Sequence, residues 1–451
     1  MNKRDLAEIL FARGKEKGIE DMEAFIQKRK KLNIKVFKGE IDDYSISDEY
    51  GLSFRGIYDG KMGYSYTEKI DESSIDMLIK EVIDNAKIID SDDEEFIFKG
   101  SREYKKIDSY NDSLDNISNK EKIEFTKAME EEALKADERV EAVNYCVYGE
   151  EIEHNILLNT KGLSLEEKSN IAYGYISVMV KYGDDIKTAS KDVISNNFSR
   201  FNAKELALEA VKEGISQLGA ESIESDNYPV ILRNEASASL LEAYSTIFSA
   251  EKVQKGLSML SGKIQDKIAN DIVTLIDDPH MEGGVASMSF DGEGVASQKK
   301  KIIENGVLKT YLHNLKSAKK DGVESTGNAY KPSYKSTVSI APANMYIQEG
   351  EQKFDDMVGS IQKGLIITGF QGLHSGVNTV SGDFSLAAHG YLIENGKIST
   401  AVNQITVAGN FYEMMKNIIE VGEDLKFTFP GGNGYIGSPS LKISELSISG
   451  K

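Results

Sequence analysis

The sequence predicts an α+β protein of two domains, an N-terminal domain of helices on an antiparallel sheet and a C-terminal domain that is mainly β. Three observations lead to this prediction. The 451 residues exceed what one ordinary hydrophobic core organises. The first half alternates segments of helical periodicity with segments of strand periodicity. The second half is rich in glycine and in short strand-like runs.

The chain begins with a predicted amphipathic helix, followed by two predicted hairpins and a second helix. Leu6, Ile9 and Leu10 recur at helical spacing near the start of the chain. Strand-like runs follow at 36–47 and 51–66. In the second run Asp59-Gly60 separates two alternating segments and favours a tight two-residue turn. Residues 73–89 return to helical spacing and predict a helix.

The same order of elements then returns, which predicts a weak internal duplication within an N-terminal domain of residues 1–220. Helices are predicted at 119–136 and 203–217, with strands between them at 141–148, 152–158 and 171–182. The tripeptide Gly-Leu-Ser occurs at 51–53 and again at 162–164. Each copy lies in a strand-rich stretch that a helix follows.

The predicted C-terminal domain covers residues 226–451. Residues 218–227 are small, acidic and unpatterned, as is typical of a linker. Two Asn-Gly pairs, at 305–306 and 395–396, share the local text I-E-N-G and predict hairpin turns between short strands. Helices are predicted at 234–250 and around 410–419.

The charge balance limits the partners that we expect. The chain has 54 basic and 73 acidic residues and a formal net charge of −19. Such a surface repels phosphate backbones and anionic lipids, so we predict neither direct nucleic-acid binding nor membrane binding. The densest basic run is Lys299, Lys300 and Lys301, and we interpret it as a solvated strand end.

The single cysteine, Cys146, excludes an intrachain disulfide and a four-cysteine metal site. No apolar run has the length of a signal sequence or a membrane span. These features lead us to expect a cytoplasmic protein.

Several short motifs in the C-terminal third carry a family resemblance. They are SGDFS at 381–385, GYLIENG at 390–396, ITVAGN at 405–410, NIIEVGED at 417–424 and GSPSLKI at 437–443. FDGEG at 290–294 and STGN at 325–328 extend the pattern upstream. In order and spacing these motifs resemble the TldD/PmbA family, and the resemblance covers nearly the whole chain.

The resemblance implies a two-domain α+β fold and a role in peptidase complexes built from two related subunits. The TldD-type subunit resembles a metallopeptidase whose ligands come from an H-E-x-x-x-H segment and a C-terminal cysteine. The PmbA-type subunit, also called TldE-type, lacks these residues. An older family label is modulator of DNA gyrase.

This chain departs from the metal-binding pattern. The segment NEASAS at 234–239 takes the place of H-E-x-x-x-H, with Asn234 and Ser239 at the two histidine positions. Glu235 is retained, and Glu242 is a second acid nearby. The final loop, 430–437, has no cysteine. Because zinc sites use Cys, His, Asp or Glu donors, we predict no metal and no catalytic residue in this chain. The zinc is expected on a TldD-type partner.

The helix that carries this segment allows two interpretations. Leu240, Leu241 and Tyr244 lie on one side, opposite Glu235 and Ser239. The polar side is either the solvated face of a core helix or a residual site that faces a cleft or a partner subunit. On a regular helix, positions 234 and 239 are about 140° out of alignment.

Other residues offer chemistry outside this segment. Ser381, Asp383 and His389 lie close in sequence and include the residue types of a nucleophile–base arrangement. His374 follows a glycine-rich turn and is a candidate for lining a pocket. We predict these four residues as substrate-binding.

The predicted function is that of a PmbA/TldE-like subunit of a cytoplasmic zinc metallopeptidase complex that acts on unfolded peptides. The predicted partner is a TldD-type subunit, and a homodimer of the isolated chain is compatible with this. Strand addition suits the capture of peptides of varied sequence. Two alternatives stay open: a protein-binding modulator of DNA gyrase, and a self-sufficient hydrolase that uses no metal.

Overall fold

The computed structural model describes residues 3–90, 93–430 and 434–451. Helices account for 25% and strands for 41% of the structure, which confirms the predicted α+β class. No helix in these described ranges is long and apolar enough to cross a membrane.

The N-terminal half contains two three-stranded units with their helices. Its elements are α1 (Lys3–Glu16), β1 (Met22–Phe37), β2 (Glu40–Tyr58), β3 (Lys61–Thr67), α2 (Ile75–Ile88), α3 (Asp112–Asp115), α4 (Asn119–Ala136), β4 (Val140–Asn159), β5 (Ser164–Tyr182), β6 (Asp185–Ser195) and α5 (Ala203–Ser216). The six strands form one antiparallel sheet in the order β3-β2-β1-β4-β5-β6. The order helix, three strands, helix thus occurs twice, and β1 and β4 meet at the centre, in agreement with the predicted duplication.

Each unit packs its helices over its own part of the sheet. In the first unit, α2 buries Leu78, Ile79 and Val82 in a core that also contains residues of α1, of the first part of β1 and of the last part of β2. In the second unit, α4 and α5 cover a core of strands β4 and β5. Ser118 and Glu121 form a capping box that fixes the start of α4 at its predicted position.

One long strand replaces two predicted short ones. The predicted strands at 141–148 and 152–158 are both part of β4, and the predicted strand at 171–182 is the second half of β5. Gly149 lies between the two predicted short strands. In the structure its missing side chain makes room for the ring of Tyr173, which a Cβ at 149 would meet at 2.2 Å. The glycine therefore serves cross-strand packing and does not end the strand.

The C-terminal half is built mainly from strands. Its elements are β7 (Asp226–Leu232), α6 (Asn234–Tyr244), α7 (Ala250–Gln254), β8 (Leu275–Asp277), β9 (Lys300–Glu304), β10 (Val307–Leu308), α8 (Leu315–Asp321), β11 (Ala329–Tyr330), β12 (Ser339–Ile340), β13 (Asn344–Ile347), α9 (Phe354–Gly359), β14 (Lys363–Gln371), β15 (Asp383–Glu394), β16 (Lys397–Asn410), α10 (Phe411–Lys416), β17 (Ile418–Val421), β18 (Lys426–Phe427), β19 (Tyr435–Ser438) and β20 (Leu441–Ser449). The predicted helix at 234–250 ends earlier, at Tyr244, where a 3₁₀ turn over Ser245–Phe248 separates α6 from α7.

These strands form two six-stranded sheets and a short two-stranded ladder. One sheet has the order β10-β9-β8-β13-β19-β18, and the other has the order β16-β15-β14-β7-β20-β17. Strand β16 also pairs with β20, so the strands β16, β15, β14, β7 and β20 close into a ring. The largest hydrophobic core of the chain fills the space between this ring, α6, α10 and the other sheet.

The two predicted Asn-Gly hairpins are confirmed. Asn305-Gly306 joins β9 to β10, and Asn395-Gly396 joins β15 to β16. All four residues have positive φ, as the predicted turn type requires. Strand β7 begins at Asp226, inside the predicted linker 218–227. The division of the chain into domains at 220 and 226 stays a prediction.

Candidate functional site

The segment NEASAS begins helix α6 at the end of a central strand. Strand β7 pairs in parallel with β14 and antiparallel with β20, and α6 starts two residues after it. Arg233 lies at the junction. Its Nη1 is 2.8 Å from Oδ2 of Asp424, and its guanidinium lies 4.1 Å from the ring centroid of Phe354. The first turn of α6 is therefore anchored to the loop that contains Asp424.

Both residues at the predicted histidine positions use their side chains within the chain. Asn234 donates from Nδ2 to the carbonyl oxygen of Asp424 at 2.9 Å, and its Oδ1 accepts from the backbone nitrogen of Glu235 at 2.8 Å. Ser239 donates from Oγ to the carbonyl oxygen of Glu235 at 2.7 Å, the usual bond of a serine inside a helix. Both side chains therefore have hydrogen-bond partners within the chain.

The retained carboxylate, Glu235, is held by two lysines. Nζ of Lys191 lies 3.1 Å from Oε1 and 3.2 Å from Oε2, and Lys426 forms a second ion pair with Oε1. Lys191 is on β6 and also pairs with Glu213 of α5 at 2.5 Å. The network thus joins the N-terminal sheet to the C-terminal half of the chain.

The positive charges of two neighbouring lysines decide the protonation state of Glu235. Burial raises its pKa, but Lys426 and Lys191 outweigh that effect and hold the pKa below its usual range. Burial likewise disfavours the charged form of Lys191, and Glu235 and Glu213 reverse this, so the pKa of Lys191 is raised. Glu235 and Lys191 are therefore both charged at neutral pH.

A cavity of about 380 Å³ opens beside this network. Arg233, Asn234, Glu235, Lys191, Lys426 and Tyr391 are among its lining residues. The first two residues of α6, Asn234 and Glu235, thus face a cleft. Two lysines pair with the carboxylate of Glu235, but its side chain keeps 38% exposure, so both interpretations of this face stay open.

Glu242 lies two turns further along α6, in a different environment. Burial raises its pKa, and Thr428 donates to its Oε2 at 3.3 Å. Nearby, Oγ of Ser237 and Oγ of Ser438 are 2.7 Å apart and tie α6 to β19. Within the final loop, 430–437, residues 431–433 lie outside the described residues.

The residues present do not fit a zinc ion. Across residues 3–90, 93–430 and 434–451, no three His, Cys, Asp or Glu side chains are grouped as a metal site requires. At the NEASAS segment the donors are a neutral amide, a hydroxyl and one carboxylate already paired with two cations.

The predicted pair Ser381 and Asp383 is a structural turn. Ser381 donates from Oγ to Oδ2 of Asp383 at 2.8 Å, and Asn410 donates from Nδ2 to Oδ1 of Asp383 at 2.9 Å. The hydrogen bonds from Asn410 and Ser381 lower the pKa of Asp383. Because its pKa is lowered, the carboxylate of Asp383 is a weak base for the Ser381 hydroxyl that it accepts from.

The predicted histidines lie elsewhere. His389 follows Asp383 along β15, and at about 3.3 Å per residue the two are roughly 20 Å apart. It packs against Gly369, and burial lowers its pKa. His374 is exposed in the turn after β14. The course of β15 therefore separates His389 from the pair Ser381 and Asp383, and the assignment of Ser381, Asp383, His374 and His389 as substrate-binding stays a prediction.

Sequence reasoning missed Lys191 and Lys426. Each is far in sequence from Glu235, and neither belongs to a recognisable motif. The only signal for these lysines was indirect: a glutamate that is retained where the neighbouring metal ligands are lost needs another positive charge if it is partly buried.

The chain matches three models of one family, which together cover most of its length. The PmbA/TldA metallopeptidase domain 1 matches residues 22–86, the central domain matches 112–218, and the C-terminal domain matches 225–450. The chain belongs to the PmbA/TldD metallopeptidase family. The first two family domains correspond to the two halves of the single N-terminal sheet.

Relatives within the PmbA/TldD family include proteins named after TldD and proteins named after PmbA. A metalloprotease TldD homolog of Buchnera aphidicola is 29% identical over 91% of this chain and 88% of its own length. A metalloprotease PmbA homolog of the same species is 26% identical over 95% of this chain and 93% of its own. A crystal structure from Thermotoga maritima, described as a putative modulator of a DNA gyrase, is 31% identical, with a TM-score of 0.91 over 99% of this chain and 100% of its own.

Proposed function

We propose that this chain is the PmbA-type, or TldE-type, subunit of a cytoplasmic zinc metallopeptidase complex that acts on unfolded peptides. The observation that carries the proposal is the pairing of Glu235 with Lys191 and Lys426. A TldD-type partner holds the zinc, which supplies the activated water of peptide hydrolysis. This chain shapes the chamber and contributes no ligand.

Electrostatics supports the absence of a metal at α6. A divalent cation beside Glu235 would lie close to two ammonium groups, and like charges at such distances repel by several kcal/mol at an effective dielectric constant of about 20. Asn234 and Ser239 offer only neutral donors, which already serve the fold. Overall identity does not separate the subunit types, since the TldD and PmbA homologs are similarly distant. The residues of α6 therefore carry the assignment.

The test is to measure bound metal and peptide cleavage for the purified chain, for a purified TldD-type protein and for their mixture. We expect no stoichiometric zinc and no cleavage from this chain alone. The mixture should cleave an unfolded peptide faster than the TldD-type protein alone, and a chelator should abolish the activity. Size-exclusion chromatography with light scattering would show whether a mixed complex forms.

Either of two results would overturn the proposal. Stoichiometric zinc in the isolated chain would mean that α6 or another site binds metal. Chelator-resistant cleavage by the isolated chain would establish a self-sufficient hydrolase. The gyrase alternative predicts instead that the immobilised chain retains DNA gyrase in preference to a TldD-type protein.

A further inference from the structure

One edge of the N-terminal sheet lacks a neighbour over half a strand. Strand β2 pairs with β1 from Glu40 to Gly56, but β3 pairs only with residues Leu52–Tyr58 of β2. In the part of the chain that the structure describes, no strand pairs with the outer side of residues 40–51. Residues 40–49 are all exposed. Their outward backbone groups are free to form a ladder with another chain.

The equivalent edge of the second unit is covered by the chain itself. Strand β6 pairs with β5 only from Ala172 onwards, which leaves residues 164–171 without a strand partner in the same way. Here, however, the backbone nitrogen of Ser289 donates to Glu167 at 2.7 Å, and that of Asn170 donates to the carbonyl oxygen of Ser109 at 3.1 Å. Of these two described edges, therefore, the edge of β2 is the one left bare.

The bare edge has a distinct composition. Ile41, Tyr44 and Ile46 are exposed by 43%, 41% and 51%, which is unusual for large apolar side chains so close together on one strand. Residues 40–50 also include five acids and no base: Glu40, Asp42, Asp43, Asp48 and Glu49. An apolar and acidic strand suits a partner strand that is apolar and basic.

The chain contains such a partner on the other side of β2. Strand β1 is basic and includes the run KRKK at 28–31. Two lysines of β1, Lys28 and Lys35, pair with acids of β2. Nζ of Lys35 lies 2.6 Å from Asp42, and Nζ of Lys28 lies 3.4 Å from Asp48. The pairing of β2 with β1 therefore shows that this acidic strand accepts a basic strand as its neighbour.

We infer that residues 40–51 of β2 bind an extended, lysine- or arginine-containing segment of another protein by strand addition. A second copy of this chain fits poorly, because antiparallel pairing of two identical edges would place acids against acids. The inference is independent of the proposed peptidase role, since the edge lies on β2 and shares no residue with the cleft at α6.

The test uses the full chain and a fluorescent peptide that alternates lysine with valine. We expect saturable binding by fluorescence anisotropy and slower hydrogen exchange at residues 40–51 when the peptide is present. Replacing the peptide's lysines by glutamate should weaken binding by at least about tenfold, and so should N-methylation of alternate backbone nitrogens.

A charge-reversal variant gives the matched control. Glu40→Lys/Asp43→Lys should weaken binding by about tenfold. Glu81→Lys/Asp184→Lys changes the net charge equally at exposed positions on α2 and in the β5–β6 turn, and should bind as the unmodified chain does. Circular dichroism would confirm that both variants fold. Equal weakening in both variants, tight binding of the N-methylated peptide, or protection of 40–51 by self-association alone would overturn the inference.

Discussion

Nζ of Lys191 lies 3.1 Å from Oε1 and 3.2 Å from Oε2 of Glu235, which joins the last strand of the N-terminal sheet to the first turn of α6. By resemblance to the H-E-x-x-x-H segment, Glu235 stands at the position of the glutamate in the metal site. Here the counter-charge of that glutamate comes from the protein, through Lys191 and Lys426. The pairing therefore acts as a link between the two halves of the chain.

Glu235→Gln should lower the free energy of unfolding by about 1 kcal/mol. The value is modest because the carboxylate retains 38% side-chain exposure and Lys191 keeps Glu213 as a partner. Urea denaturation followed by circular dichroism measures the change. Glu81→Gln, at an exposed position on α2, is the control and should have no effect. Equal stability of the two variants would show that the link contributes nothing.

The contribution of Glu235 should depend on pH in a defined direction. Its folded-state pKa is lowered, so the contribution is present above the unfolded pKa of about 4.3 and is lost as the pH falls through the folded value. The difference in urea midpoint between the unmodified chain and Glu235→Gln should therefore be constant from pH 7 to about pH 5 and shrink below it. A difference that grows on acidification would contradict the lowered pKa.

Restoring the two histidines should not restore a zinc site. In Asn234→His/Ser239→His, the regular helix α6 would hold the two rings about 140° apart, and Glu235 would still pair with Lys191 and Lys426. We expect less than stoichiometric zinc by mass spectrometry after dialysis. A TldD-type protein treated in the same way is the positive control. Full zinc occupancy would show that α6 rearranges around the metal.

A second ion-pair cluster should matter more for stability, because it is buried. Nε of Arg55 on β2 donates to Glu23 on β1 at 2.7 Å, and its Nη1 lies 3.4 Å from Glu293 of the C-terminal half. Arg55→Met would remove the cation that both of these buried carboxylates contact, at a cost of roughly 3–5 kcal/mol. Thermal denaturation measures the loss. Arg102→Met, at an exposed position, should be neutral, and a similar effect of both substitutions would refute the importance of burial.

Backbone packing inside the ring should make Gly390 intolerant of a side chain. A Cβ at this position of β15 would lie 1.8 Å from the carbonyl oxygen of Ile366 on β14. Gly390→Ala should destabilise the protein by about 1–3 kcal/mol or prevent its folding. Gly359→Ala is the control, since a Cβ at that position would meet no atom within 4 Å and the substitution should be neutral or slightly stabilising. Comparable melting temperatures would contradict the packing at β15.

Local sequence signals predicted most elements of the fold. Helix α4 begins at its predicted residue because Ser118 and Glu121 supply a complete cap. The Asn-Gly and Asp-Gly turns appear where their backbone preferences place them. The break of the predicted helix 234–250 at Tyr244 had no such signal, because the 3₁₀ turn that follows is shaped by packing in the large core.

The site was only half predictable. The identities of Asn234, Glu235 and Ser239 were enough to expect that metal ligands are missing, because ligand chemistry depends on residue type. Whether the four proposed substrate-binding residues lie close together in space could not be predicted, because proximity in sequence does not determine distance in the fold. His389 illustrates this, since an extended strand moves it roughly 20 Å from Asp383.

The sequence by itself determined the class of fold, the repeated helix–strand unit, the family and the missing donors, since these depend on local patterns and side-chain chemistry. Only the tertiary structure decided which cations pair with Glu235 and which strand edge is bare. Lys191 and Lys426 both reach Glu235 although the chain separates them widely. Long-range pairing of this kind leaves no periodic signal in the sequence.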